Sequence, residues 1–507
     1  MKPSDNSPPN IVLVVWDACR LDYAQEYASN LTELATENVW FERAIAPSPW
    51  SLPSHASIFT GKYPHEHGCH RLDGSIDNDL VDRLSEKGYR TYGISANGFA
   101  SQRTGFHEGF DEFHYTGGRE RYPEGLDVSG FAQRRLGKDE SVDSGVLAAT
   151  LREMVWHAHP LKSAANLLSV GLGELSDAYA PLQRVPHPVF APDSGYCYSP
   201  EHNTGRIGAV LEDHVRDHND SPFFLFTNYM NTHRPYKPRP ELQEKHLGRT
   251  LSFREIRRLN EHVAYPWEFV EDIQNGTIDE ADVETVRELY AGEVETVDEH
   301  LERIHELLEE AGVLEDTLIV VTSDHGENLG EGDERGQRRM GHEASVSDAV
   351  LRVPLLVAHP ELDGRTVSGP VSLKDLFELF VNGTGELLAS DGREVPGLLP
   401  FKGATASQYP ATGGEKFFER HPGLDPETIR HRVAYHSTIA YDETWKVIAE
   451  STGERWAGDG EGERSLDNAP ARLVETAEKH LAALQQFGAE SGLSEEDISQ
   501  LEALGYL

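Results

Sequence analysis

The ordered pattern of the chain begins with Ile11 to Trp16, an unbroken apolar run rich in β-branched residues that stops at Asp17. A run that is apolar on both faces and closed by a polar residue marks a buried parallel strand. Tyr89 to Ser95, Phe223 to Tyr229, Leu318 to Thr322 and Val353 to Ala358 repeat the pattern. Between these runs the period changes. Leu80, Val81 and Leu84 form an amphipathic stretch followed by Gly88, while Val283, Val286, Tyr290, Val294, Val297, Leu301, Ile304 and Leu308 step by threes and fours toward Gly312. Such spacing gathers apolar side chains on one helix face, and a glycine past the last of them ends the helix. Strands alternating with helices predict an α/β fold, a mostly parallel sheet with helices on both faces, joined to a small C-terminal subdomain.

The rhythm breaks over residues 111–205, where charged, aromatic and Pro-rich stretches read as a helical insertion over the sheet edge. Residues 449–472 are Gly-rich and charged and read as an exposed loop. A helix through Leu473, Ala477, Leu481 and Leu484 follows, and a last one is opened by the capping box Ser494 to Asp497. The division that results is a catalytic domain over 9–390 and a C-terminal subdomain with tail helices over 391–507.

Ligands of open α/β sheets bind beyond the carboxyl ends of the strands. Asp17 follows the first run, Asn97 the second, His233 the third and the pair Asp324-His325 the fourth. An Asp in such a place commonly caps a turn; four exits carrying metal-type or anion-type residues together point to a site. Carboxylate with imidazole suits a divalent cation of intermediate hardness. In Ser51-Leu52-Pro53-Ser54-His55, running on to Thr60-Gly61, an early Pro and a late Gly bracket a short helix. Ser51 then lies at or before its N-terminus, where negative charge is favoured. The alternative is that Ser51 or Ser54 serves only as the N-cap.

Charge narrows the field. Lys and Arg number 46 against 86 Asp and Glu, a formal net charge of -40. That excess excludes nucleic acid and anionic membrane as expected partners. It fits a halophilic cytoplasm, where the Debye length at 1 M salt is about 3 Å and crowded carboxylates repel little. The start of the chain holds no signal-like or membrane-spanning apolar stretch. Cys19, Cys69 and Cys197 cannot form a full disulfide framework and lack a CxxC spacing, so a reducing compartment is expected.

The order strand-Asp17, Ser51-x-Pro53-Ser54-x-x-Ser57-x-x-Thr60-Gly61, Asn228 to Tyr236 with His233, and Thr322-Ser323-Asp324-His325-Gly326-Glu327 resembles the sulfatase family of the alkaline phosphatase superfamily. Gly341-His342, Leu351 to Leu355 and the ending Leu501 to Tyr506 add to the likeness, which runs from about residue 9 to 385. The resemblance implies a sulfate ester or related phosphate mono- or diester as substrate. It implies Ser51 as nucleophile, and Asp17, Ser51, Asp324 and His325 around one divalent ion (Ca, Mn, Mg or Zn), with room for a second left open. His233 and His342 would face the substrate, with His55 and Asn97 as further candidates; Arg20 and Asp22 match the family pattern after the first Asp.

Three departures alter the expectation. Ala18 stands where sulfatases carry a second Asp, Asn97-Gly98-Phe99 replaces a Lys-x-His, and His55 replaces the Arg that accompanies conversion of the nucleophile to formylglycine. Ser51 is therefore expected to stay a plain serine. The cluster His65, His67, Cys69 and His70 invites a separate metal site, but its spacing also matches the family, which favours the simpler reading. Two alternatives to a hydrolase stay open: a phospho-headgroup transferase, and a catalytically silent relative that binds an anion or glycan.

Overall fold

The computed structural model describes residues 8–70, 74–117, 144–157, 159–168, 200–218, 221–263, 276–336, 338–342, 345–384, 404–408, 436–459 and 462–487, with isolated residues between some of these stretches. The apolar runs become the strands β1 (Asn10–Trp16), β2 (Val39–Phe41), β3 (Arg90–Ser95), β4 (Glu112–Tyr115), β5 (Phe223–Tyr229), β6 (Thr317–Thr322), β7 (Leu355–Ala358) and β8 (Arg365–Val367). They form one sheet in the order β8-β2-β7-β6-β1-β5-β3-β4. β1 lies between β5 and β6, parallel to both, with Val15 opposite Asn228 and Thr322. This register brings the C-terminal ends of the three strands level, so Asp17, the segment after Tyr229 and the segment after Thr322 leave the sheet side by side.

The expected architecture holds: a mostly parallel sheet covered on both faces. Ile11, Leu13 and Val15 pack on one side with the helix α1 (Ser51–Thr60). Val12, Val14 and Trp16 pack on the other with the long helix α2 (Glu280–Glu310), whose buried positions include Val283, Val286, Tyr290, Val294, Val297, Leu301, Ile304 and Leu308. Asp279 caps α2 by accepting the N–H of Asp282 at 2.9 Å.

Three expectations need correction. The run Val353 to Ala358 is broken at Pro354, which has no N–H for a ladder, and β7 runs antiparallel to both β6 and β2. Residues 111–205 do not simply overlie the sheet edge. Glu112–Tyr115 are the edge strand itself, parallel to β3, and Pro200–Asp217 is a helix packed near α2; most of what lies between is outside the described residues. Residues 449–472 are not a loop. They contribute to a five-stranded antiparallel sheet of Ala404–Gln408, Ser437–Tyr441, Trp445–Glu450, Arg455–Asp459 and Gly462–Arg464, with the helix Ala471–Phe487 against it. Its last two strands are short and partly solvated, so few apolar positions betray them, and Gly462 begins the last of them at φ 127. The capping box Ser494 to Asp497, the ending Leu501 to Tyr506 and Cys197 lie outside the described residues.

Candidate active site

At the end of β1 the chain turns through Ala18, a non-glycine residue with φ 60. That conformation costs of order 1 kcal/mol and persists only where its surroundings hold it. Here the Ala18 N–H donates to Asp324 Oδ1 at 3.2 Å and its carbonyl accepts the Tyr290 hydroxyl at 2.7 Å. The position that has lost the family's second Asp therefore still serves the site through its backbone. Thr232 and Ser54 act alike from other segments, bonding the carbonyls of Asp17 at 2.5 Å and Asp324 at 2.6 Å.

Asp17, Asp324 and His325 are fully buried and bring one ligand atom each within 4.8 Å of one another, the one such group among the described residues. His325 Nδ1 is 2.9 Å from the Gly326 carbonyl, so it carries the proton and Nε2 presents a lone pair. That nitrogen is 3.8 Å from Asp17 Oδ1 and 3.6 Å from Asp324 Oδ2. Both oxygens are buried and receive no hydrogen bond. Two acceptor-only oxygens and a ring nitrogen turned toward one point, with no donor among them, suit a divalent cation. Burial and then the facing Asp324 push the Asp17 carboxyl well above its ordinary range. At Asp324 burial also works upward, but the rings of His325 and His55 outweigh it and hold the group low.

Gly326 makes the strand-end turn possible for a reason other than an unusual φ. A Cβ there would meet the Ala349 carbonyl at 2.1 Å.

Ser51 is the first residue of α1, whose N-cap is Trp50 with no side-chain cap bond. The capping role open to Ser51 or Ser54 from the sequence is therefore not what either does. The Ser51 hydroxyl donates to Asp17 Oδ2 at 3.2 Å and lies 3.3 Å from His325 Nε2. His55, four residues on, is buried with Nδ1 2.9 Å from the Ser51 carbonyl and 3.5 Å from Asp324 Oδ2; Nε2 is 3.4 Å from the Asn228 amide. Asn97 donates to Asp17 Oδ2 and accepts the Phe99 N–H at 2.6 Å. Both residues bond within the protein, His55 to the start of the helix and Asn97 to the Asp17 carboxylate.

His233 and His342 lie beside this group, with ring centres 5.3 Å apart, and the ring of His342 is tilted by 40° against that of His325 at 4.3 Å. Burial, followed by the neighbouring His342 and Arg234, holds His233 well below the ordinary imidazole range, and its Nδ1 is 2.7 Å from the Arg234 carbonyl. Arg20 and Asp22 pair at 2.8 Å. The cluster near His67 is also internal: His67 bonds Ser57 at 3.0 Å and the Cys69 N–H at 3.0 Å. Sequence reading missed Tyr290, hidden among the apolar positions of α2, and it treated Tyr236 and Glu327 as motif letters only.

A family model described as sulfatase matches residues 9–385. Steryl-sulfatase of Rattus norvegicus is 24% identical over 447 residues, covering 77% of this chain and 70% of that one. The low-salt glycan biosynthesis sulfotransferase Agl7 of Haloferax volcanii is 28% identical over 255 residues, 45% of this chain and 61% of its own length. Among solved structures, the phosphonate monoester hydrolase of Agrobacterium radiobacter shares the fold with a TM-score of 0.58 at 19% identity, covering 96% of this chain and 98% of that one.

Proposed function

This chain belongs to the sulfatase family, and we propose that it is a metal-dependent hydrolase that cleaves a sulfate ester, or a related phosphate mono- or diester, through Ser51. The observation that carries this reading is the convergence of the Ser51 hydroxyl, Asp17, Asp324 and His325 on one buried point. A divalent cation held by these residues would supply Lewis-acid charge to the transferred group and lower the pKa of the Ser51 hydroxyl. Ser51 itself attacks sulfur or phosphorus, supported by the N-terminus of α1, while its proton passes to the Asp17 Oδ2 oxygen it faces at 3.2 Å. The bond to the ester oxygen breaks, and that oxygen leaves with a proton. Water then attacks the same sulfur or phosphorus, the bond to Ser51 Oγ breaks, and the proton held at Asp17 Oδ2 returns to restore the hydroxyl.

His233 is the donor to the leaving oxygen in this scheme. In the free protein it is neutral and its proton sits on Nδ1. The negative charge of a bound substrate favours a second proton on the ring, so that His233 becomes an acid only when there is an ester to cleave. Ser51 works as an unmodified serine, because buried His55 occupies the place of the Arg that accompanies formylglycine in the family. The excess of acidic residues supports reading a salt-rich cytoplasm as its setting.

A second reading is favoured by the archaeal relative named a sulfotransferase: Ser51 passes its group to a sugar hydroxyl instead of water. Exhaustive chelation followed by assay on nitrophenyl sulfate and nitrophenyl phosphate, with and without sugar acceptors, tests both. Turnover is expected to vanish and to return with Mn, Ca, Mg or Zn. Full turnover in the chelated protein contradicts the proposal, and a product carried on the sugar favours the second reading.

A further inference from the structure

His342 meets Glu327 end-on. Its Nδ1 lies 3.2 Å from Oε1 and 3.3 Å from Oε2 of a carboxylate that is fully buried. The Tyr236 hydroxyl donates to Oε2 at 3.0 Å. The backbone of Glu327 is fixed on both sides, its N–H by the Ala349 carbonyl at 3.1 Å and its carbonyl by Arg20 Nη1 at 3.2 Å. No cationic Lys or Arg side chain is bonded to the carboxylate among the described residues. A glutamate kept merely to fill this space would be a poor choice, since a buried carboxylate is costly and a neutral residue of similar shape is not.

We propose that Glu327, backed by Tyr236, is a positioning residue that fixes His342, whose ring lies beside those of His325 and His233, as the tautomer protonated at Nδ1. The two Glu327 oxygens lie about equally near Nδ1, and Oε2 already accepts from the Tyr236 hydroxyl, so the nitrogen facing them is the one that donates. The second ring nitrogen is then an acceptor of defined direction. The inference rests on reading His342 as a substrate-facing residue.

Glu327→Gln tests it, because the amide can donate as well as accept and releases the tautomer. Two-bond nitrogen–proton NMR of the full chain with ¹⁵N-labelled histidine is expected to show His342 protonated at Nδ1 in the parent and redistributed in the variant. Turnover of nitrophenyl phosphate or sulfate is expected to fall by roughly 10–100-fold with KM nearly unchanged, and Glu327→Gln is expected to add little in a His342→Gln background. An unchanged tautomer, or losses that multiply in the double variant, overturns the proposal. Full turnover in His342→Gln overturns the substrate-facing reading, and with it the kinetic half, while the tautomer measurement still decides the pair. If Glu327→Gln does not fold, Tyr236→Phe removes the supporting hydroxyl alone; a redistributed His342 tautomer with lowered kcat supports the proposal, and an unchanged tautomer opposes it.

Discussion

The amide of Asn97, at the exit of β3, donates to Oδ2 of Asp17, at the exit of β1. Since the Asn97 carbonyl is tied to the Phe99 N–H, the amide has one orientation, and it leaves Oδ1 of Asp17 as the oxygen turned toward His325 Nε2. Asn97→Ala is expected to weaken divalent-cation binding by about 10–100-fold, the usual effect of losing a group that orients a ligand. Competition against a chromophoric chelator measures it. An unchanged affinity together with a lowered Tm would reduce Asn97 to a structural role.

Lys446 lies 2.8 Å from Asp348 and 2.8 Å from Glu334, joining the C-terminal sheet to the segment that carries His342. Burial raises the Asp348 pKa, but Lys446 overrides it and holds the group at about 2. With a folded value below the ordinary 3.8, this pair stabilises the fold at neutral pH, and the contribution is lost as pH falls from the ordinary carboxylate range through about 2. Lys446→Met is expected to cost about 2 kcal/mol at pH 7 and progressively less in acid. A cost that does not change between pH 7 and pH 3 contradicts the assignment.

The sequence revealed the strands that matter because the site stands at their ends: Asp17, Asp324 and His325 each follow a run too apolar to be anything but buried. Direction was not legible for β7, since a strand buried on both faces reads the same whichever way it runs. The last two strands of the C-terminal sheet were illegible because Arg455–Asp459 and Gly462–Arg464 each bury little. Within the site, residue types announced that Asn97 and His55 belonged there but not which way they faced. That depends on contacts as distant in sequence as Asp17 with Asn97 and His55 with Asn228. Tyr290 gave no signal, because its ring satisfies the helix pattern and its hydroxyl does the work at Ala18.

In the metal-free protein Asp17, which faces Asp324, sets a pH dependence of the opposite sign. Asp17 has a folded pKa well above 3.8, from burial first and Asp324 second. Its contribution is full below the ordinary range and is lost as pH rises through the higher folded value. A divalent cation replaces the proton, so at a concentration 100 times its Kd it should add about 2.7 kcal/mol. Asp17→Asn is expected to raise the Tm of the metal-free protein at pH 8 and to abolish the gain from added cation. An equal gain in the variant would place the cation elsewhere.

For His233, the leaving group discriminates. His233→Gln is expected to lower kcat by roughly 10²-fold on alkyl esters if the ring protonates the departing oxygen, and much less on nitrophenyl esters, whose leaving oxygen needs no proton. Equal losses on both would leave His233 a binding residue only.

On the proposed reading, unmodified Ser51 takes the transferred group onto its own oxygen. The most direct measurement is mass spectrometry of the tryptic peptide 44–62, from resting protein and from protein quenched in acid during turnover, with fragmentation to locate the change. The resting peptide should have the mass of its encoded sequence, and the quenched one should be heavier by a phosphoryl or sulfuryl group on Ser51 and on no other serine. A resting peptide lighter by two hydrogens would mean formylglycine, and turnover with no adduct at Ser51 under any quench would contradict the nucleophile itself.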